Sequence, residues 1–190
     1  MKNIILGVTG SIAAYKAADI AHQLYKEGFQ VEVIMTDSAT KFVTPLTFRS
    51  LTKNNVYIEM FQDDFPKDIK HISLAEKADL VLIAPATANI IGKLANGIGD
   101  DMLSTTLLAV KGKPVIIAPA MNTNMWENPI LQDNITKLKK YGYQIIEPKE
   151  SLLACGTLGK GALESVDEIV KKVLDIVKTE ANTARVYNYD

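Results

Sequence analysis

The sequence predicts one α/β domain, in which helices cover both faces of a parallel β-sheet. Short apolar runs rich in branched residues alternate along the chain with segments of helical periodicity. The apolar runs carry few polar positions, as expected for strands buried on both faces. A length of 190 residues fits one domain. We expect this domain to span residues 1–180, and the remaining residues, 181–190, form a tail without an assigned structure.

Individual elements can be assigned from this alternation. The predicted strands are residues 3–9, 31–35, 80–84, 115–118 and 144–146. The predicted helices are residues 13–26, 88–96, 101–110, 130–141 and 166–179. Ser11 is expected to cap the first helix and Gly28 to end it. Residues 54–70 are expected to form a loop or a short extra strand. Together the elements predict a three-layer Rossmann-like/flavodoxin-like parallel sheet with helices on both faces.

Composition and charge exclude several classes of function. The 21 basic and 22 acidic residues give a net charge of −1, which predicts no nucleic-acid partner and no membrane partner. The apolar run near the N-terminus is too short for a signal peptide, and no run approaches the length of a membrane span. Cys155 is the sole cysteine and cannot form an internal disulfide. These features predict a cytoplasmic protein.

The turn after the first strand is a candidate ligand site. In open parallel sheets, ligands bind beyond the carboxyl ends of the strands. Residues 7–12 place glycines before a helix, where free N–H groups attract an anion. The alternative is a tight turn with no ligand, because the segment lacks the dinucleotide-binding pattern. Asp37 could bind a ribose, but it follows Gly7 by about 30 residues instead of the usual 20 or so.

Two later segments repeat one pattern. Residues 79–89 and 114–124 are apolar strands that stop at Ala-Pro-Ala and are followed by asparagine. Either two parallel strands simply need similar ends, or Asn89 and Asn122 face the same crevice.

Two side chains are candidates for chemistry. His71 suits acid–base work near neutral pH, but the residues alone favour the alternative of a surface histidine at the start of a helix. His22, inside the first helix, is expected to be structural. Cys155 lies in a glycine-rich segment that predicts a mobile loop, where a thiol is better suited to chemistry than to packing.

Taken together, these segments resemble the homo-oligomeric flavin-containing cysteine decarboxylases. Four motifs occur in the family's order: residues 10–16, the His71 segment, residues 119–126 with the pattern Pro-x-Met-Asn-x-x-Met-Trp, and Ala-Cys-Gly at 154–156. The resemblance extends over residues 2–164. In many bacterial members the domain is fused to a ligase domain, and these members have Arg-Met after the residue that matches Gly161. This chain has Ala162 and Leu163 there, a difference that concerns the contacts of the Cys155 segment with substrate.

The resemblance implies a carboxy-lyase that uses FMN and no metal. Its expected small-molecule substrate is phosphopantothenoylcysteine, converted to phosphopantetheine in coenzyme A biosynthesis. It implies that His71 is a base, that Cys155 donates a proton and that Asn122 holds the substrate carboxylate. It further implies a homotrimer, or a multiple of trimers, with the flavin between subunits. The residues expected to contact FMN are Gly10, Ser11, Ile12, Thr36, Asp37, Ser38, Thr87, Ala88, Asn89, Ile90 and Ala120.

Three other functions are considered. A peptidyl-cysteine oxidative decarboxylase would not need the Cys155 acid, and a flavin prenyltransferase of similar fold would not need residues 119–126. A non-catalytic flavin or nucleotide carrier would explain the turns but not the combination of His71, Asn122 and Cys155.

Overall fold

The computed structural model describes residues 1–61, 69–152, 156 and 158–186, with side chains to Thr179. The strands are Asn3–Val8 (β1), Gln30–Met35 (β2), Val56–Tyr57 (β3), Leu80–Ala86 (β4), Val115–Pro119 (β5), Gln144–Ile145 (β6), Lys149–Leu152 (β7) and Leu158–Ala162 (β8). The helices are Ala14–Lys26 (α1), Asp37–Thr40 (α2), Pro45–Thr52 (α3), Lys70–Lys77 (α4), Ala88–Ala95 (α5), Met102–Ala109 (α6), Thr123–Trp126 (α7), Pro129–Lys140 (α8) and Val166–Val186 (α9).

Six strands form one parallel sheet in the order β3-β2-β1-β4-β5-β6. The chain winds from β1 toward one edge through β2 and β3, then returns to the other side of β1 with β4. The carboxyl ends of β1 and β4 therefore flank the point where the winding direction changes, which is the usual ligand position in such sheets.

Helices cover both faces of the sheet and create two separate hydrophobic cores. On one face, β1 contributes Leu6 to a core shared with α1 and α9, represented by Ile20 and Val173. On the other face, β4 contributes Ile83 to a core shared with α4, α5, α6 and α8, including Leu103. Because side chains alternate along a strand, β1, β2, β4 and β5 each supply both cores. The predicted three-layer α/β architecture is confirmed.

The structure corrects three details of the predicted elements. Ser11 does not cap α1: the N-cap is Ala13, without a side-chain bond, and the Ser11 hydroxyl accepts a hydrogen bond from the Ala13 N–H within the preceding turn. Gly28 ends α1 as predicted, with a φ of +86°. The short extra strand exists as β3, and the last helix continues past residue 179 to Val186.

The third correction concerns the glycine-rich segment around Cys155. Strands β7 and β8 form an antiparallel hairpin, so Gly159 and Gly161 belong to a strand and not to a loop. Cys155 itself lies outside the described residues, between the two strands.

An ionic cluster joins α5 to α6. Lys93 contacts the carboxylates of Asp100 and Asp101 at 2.6 and 2.7 Å, and Asp101 also caps α6 by accepting from the Ser104 N–H at 2.8 Å. Burial raises the pKa of Asp101, but the bonds from Lys93 and Ser104 outweigh it and leave that pKa below its ordinary value. The cluster holds the segment at 96–101 between the two helices.

None of the helices in the described part of the chain combines the length and apolar character that a bilayer crossing requires.

Candidate functional site

The carboxyl ends of β1 and β4 are joined by one buried hydroxyl. Thr9, only 1% exposed, follows β1 directly. Its Oγ1 donates to the Pro85 carbonyl at 2.7 Å and accepts from the Thr87 N–H at 3.0 Å. The hydroxyl thus satisfies two backbone groups of the neighbouring strand end, and it fixes the loop after β1 beside the start of α5.

The next strand end is connected in the same way. The Ala120 N–H, after β5, donates to the Ala86 carbonyl at 3.0 Å, and the Met121 N–H donates to the Gly161 carbonyl of β8 at 2.9 Å. A side chain at Gly161 would collide with the Met121 carbonyl oxygen. Only glycine therefore lets the hairpin approach the end of β5 this closely.

A cleft of about 540 Å³ lies above these joined strand ends. Its walls come from the loops after β1, β4 and β5, from the first turn of α1, and from the hairpin. This volume falls within the range of small-molecule and cofactor pockets.

The walls of the cleft combine apolar side chains with a few polar groups. Ile12, Met125 and Leu152 are large apolar residues that line the cleft and remain exposed. The hydroxyls of Ser11 and Thr87 stand near the N-termini of α1 and α5. Among the described residues that line the cleft, Lys16 alone is charged.

Most of the residues expected to bind a cofactor lie at this cleft. Those that line it are Gly10, Ser11, Ile12, Thr87, Ala88 and Ala120. The segment from Thr36 through Asp37 to Ser38 follows β2 and does not line the cleft. It lies next to it, because a Cβ on Gly10 would overlap Ser38.

Two members of the expected set do not line this cleft. Asn89 is exposed and Ile90 is 1% exposed within the core, and neither lines the cleft. Of the two asparagines in the repeated pattern, the structure brings Asn122 alone to the cleft wall.

The amide of Asn122 has a defined orientation. Asn122 is the N-cap of α7, and its Oδ1 accepts from the Asn124 N–H at 2.9 Å. This bond holds the oxygen end of the amide against the helix, and the NH2 end carries the donors of the side chain.

His71 is not among the residues that line the cleft of its own chain. It lies half-buried in the first turn of α4. Its neighbours in that helix region, Ile69 and Ile72, are 63% and 38% exposed.

The sequence does not identify several of the residues that line the cleft. Lys16 and Tyr15 lie in the first turn of α1, and Met125 follows Asn122 by three residues, a spacing that places side chains on one helix face. All three residues belong to the motifs at residues 10–16 and 119–126, which could therefore have indicated them. Ser151, Leu152 and Leu163 had no comparable signal, because they reach the cleft only through the folding of the hairpin.

The fold and the cleft define an α/β protein with a cleft at the switch point of a parallel sheet, the position where ligands bind in such sheets. Residues 1–178 match the protein-family model described as Flavoprotein, and the chain belongs to this family.

Comparison with curated proteins gives close relatives. The chain is 52% identical over 173 residues to the Probable phosphopantothenoylcysteine decarboxylase of Streptococcus mutans, covering 90% of this chain and 97% of that one. It is 53% identical over 170 residues to the Coenzyme A biosynthesis bifunctional protein CoaBC of Bacillus subtilis, covering 90% of this chain and 42% of that protein. The chain thus spans nearly all of the first relative and less than half of the second.

Solved structures share the fold. A cysteine-to-serine mutant of PPC decarboxylase, complexed with pantothenoylaminoethenethiol, superposes with a TM-score of 0.81 at 30% identity, covering 93% of this chain and 98% of that chain. The FMN-binding protein AtHal3 superposes with a TM-score of 0.80 at 30% identity, covering 94% and 97% of the two chains.

The Thr9 hydroxyl should be essential for joining the two strand ends. Thr9→Val keeps the shape but leaves the Pro85 carbonyl and the Thr87 N–H without their partner, at a cost of about 1–3 kcal/mol for a buried group. We expect denaturant unfolding to show this loss, and Thr9→Ser, which keeps the hydroxyl, to retain most of the stability. Equal stability of the valine and serine variants would contradict the assigned role.

Proposed function

We propose that this chain is an FMN-dependent decarboxylase that converts phosphopantothenoylcysteine to phosphopantetheine in coenzyme A biosynthesis. The observation that carries the proposal is the convergence at one cleft of the turn at Gly10–Ile12, the turn at Thr87–Ala88, Asn122 and the hairpin that brackets Cys155. The 52% identity to the Streptococcus mutans relative, over nearly its whole length, supports the choice of substrate.

The residues present fit FMN. The apolar side chains of Ile12, Met125 and Leu152 suit a flat ring system. Ser11 and Thr87 offer hydroxyls beside two helix N-termini, where a phosphate is favoured. When bound, FMN supplies two-electron chemistry, accepting a hydride from the substrate carbon that bears sulfur and returning one after carbon dioxide has left.

This chemistry is needed because a cysteinyl carboxylate has no electron sink beside it. Oxidation of the carbon that bears sulfur gives a thioaldehyde, which lies β to the carboxylate and accepts the electron pair when carbon dioxide leaves. The resulting enethiolate needs one hydride and one proton to become the saturated thiolate, and a second proton on sulfur gives the thiol. The task of the protein is to orient the substrate and to move the protons.

Asn122 is proposed to orient the substrate. It lines the cleft, and an amide N–H can donate to the substrate carboxylate without a positive charge. A cation at that position would stabilise the carboxylate and oppose its loss.

His71 is proposed to remove the thiol proton at the oxidation step. Since it does not line the cleft of its own chain, we propose that it serves the cleft of a neighbouring copy, within a homotrimer or a multiple of trimers. The exposed apolar side chains of Ile69 and Ile72 beside it support burial of this surface against another subunit.

Cys155 is proposed to supply the final proton. Ser151 and Leu152, at the end of β7, line the cleft and come shortly before Cys155 in the sequence. A thiol suits the task because its pKa is readily moved toward neutrality by its surroundings. The solved mutant of PPC decarboxylase was complexed with an aminoethenethiol, the kind of compound expected when this last reduction fails.

The proposal is tested by cofactor identity and by product. The purified protein should be yellow and release FMN, not FAD, on acid treatment, as chromatography against standards will show. With phosphopantothenoylcysteine it should form carbon dioxide and the saturated thiol. A protein that cannot be reconstituted with FMN, or one that decarboxylates only a peptide with a C-terminal cysteine, would overturn the proposal.

Asn122→Asp separates substrate recognition from folding. Aspartate caps a helix as well as asparagine does, so α7 should persist, but the NH2 donors are replaced by a charge that repels the carboxylate. We expect kcat/KM to fall roughly ten- to a hundredfold, the range set by a charge-assisted hydrogen bond.

The matched control for this variant is Asn128→Asp. Asn128 caps α8 through the same kind of bond, to the Ile130 N–H at 3.0 Å, but does not line the cleft. Its substitution should leave kcat/KM unchanged. An equal loss in both variants would rule out the specific role of Asn122.

Cys155→Ser should separate the two halves of the reaction. A serine hydroxyl is a far weaker acid than a thiol, so oxidation and decarboxylation should proceed while the final protonation fails. Mass spectrometry should find the enethiol, about two mass units lighter than the normal product. Normal yield of the saturated thiol would remove Cys155 from the role of proton donor, and loss of decarboxylation altogether would assign it to substrate binding instead.

A further inference from the structure

A charge cluster lies where the hairpin leaves the main sheet. The Glu147 carboxylate, between β6 and β7, contacts Lys139 of α8 and Lys160 of β8, each at 3.0 Å. The three side chains keep 40–50% of their surface exposed. Partial burial raises the pKa of Glu147, but the two lysines outweigh it and hold that pKa below its usual value. The carboxylate therefore stays charged at neutral pH.

Lys160 makes a second contact that Lys139 does not make. Its Nζ lies 5.7 Å from the centre of the Trp126 ring, within the range of a cation–π interaction. Trp126 is 5% exposed and packs into the core on the α8 side of the sheet. Lys160 thus joins the hairpin to a rigid part of the domain.

Trp126 is also part of the helix that orients Asn122. Its N–H donates to the Asn122 carbonyl at 3.0 Å, and its own carbonyl accepts a hydrogen bond from Gln132 of α8. The ring under Lys160 therefore belongs to α7, the four-residue helix that Asn122 caps.

The residues on either side of Lys160 approach the same region closely. A Cβ at Gly159 would overlap the Thr123 side chain, and the Gly161 carbonyl accepts from the Met121 N–H. Glycines permit this approach but supply no side chain to hold it. A two-stranded hairpin is only marginally stable by itself, so its position depends on such anchors.

We infer that Lys160 is a positioning residue, which sets β8 against α7 by bonding Glu147 and covering Trp126, and thereby sets the hairpin relative to Asn122. The inference rests on the proposed function, because it concerns the delivery of the final proton. An exposed ion pair contributes about 0.2–1 kcal/mol and an exposed cation–π contact about 0.5–1 kcal/mol. Together they correspond to roughly a threefold to thirtyfold change in a population ratio.

The test compares three variants of the FMN-loaded protein. Lys160→Met keeps the length of the apolar stem and removes the charge. Lys160→Arg keeps a cation that can bond a carboxylate and stack on a ring. Lys139→Met is the matched control, because it removes an ion pair to the same Glu147 at the same distance but leaves β8 and Trp126 untouched.

The first readout is the ratio of released enethiol to saturated thiol, measured by mass spectrometry. We expect Lys160→Met to raise this ratio about threefold to thirtyfold, the arginine variant to restore it, and Lys139→Met to leave it unchanged. A ratio in Lys160→Met equal to that of the wild type overturns the inference, as does an equal rise in Lys139→Met.

The second readout does not depend on activity. Trp126 is the sole tryptophan of the chain, so intrinsic fluorescence reports on the contact directly. At equal cofactor loading, Lys160→Met should change the emission, whereas Lys160→Arg and Lys139→Met should retain it. Unchanged emission in Lys160→Met overturns the inference whatever the enzyme does. Failure of the proposed function, by contrast, would show in the wild type as the absence of saturated thiol.

Discussion

The architecture of the cleft depends on the Thr9 hydroxyl. Two neighbouring parallel strands can end at the same level only if the backbone groups beyond their last ladder bonds find partners. Thr9 supplies both a donor and an acceptor at that point, to Pro85 and to Thr87. The loop after β1 and the N-cap residue of α5 are consequently held as one surface, and that surface forms the floor of the cleft.

The ends of the neighbouring strands are joined in a similar way. Ala120 bonds to the end of β4, and Met121 bonds to β8, so each new strand end is attached to its neighbour by a backbone hydrogen bond. The rigid part of the site is therefore a row of joined strand ends. The hairpin at the end of the row is a separate two-stranded sheet, joined to the end of β5 by the bond between Met121 and Gly161.

Much of the fold and part of the site could be predicted from local patterns. Buried strands are apolar runs and amphipathic helices repeat at 3.6 residues, so the main sheet and its helices were recognisable. The turns after β1, β4 and β5 were recognisable because ligands bind at the carboxyl ends of parallel strands. The two-residue strand β3 was left undecided, since so short a strand has no periodicity. The repeated pattern leaves open whether Asn89 and Asn122 face the same crevice, and in the structure Asn122 lines the cleft whereas Asn89 is exposed and does not line it.

The sequence by itself determined the α/β class, the positions of the turns and the candidate side chains, because these follow from interactions between residues near one another in the chain. The tertiary structure alone decided which of them meet. The sequence predicts that Gly161 is a loop residue, whereas the structure shows the Met121 carbonyl where a side chain at this position would lie. The sequence gives no sign of how His71 differs from the other candidate residues, whereas the structure places it in α4, outside the lining of the cleft of its own chain. Both outcomes depend on close approach between distant segments, which no local pattern encodes.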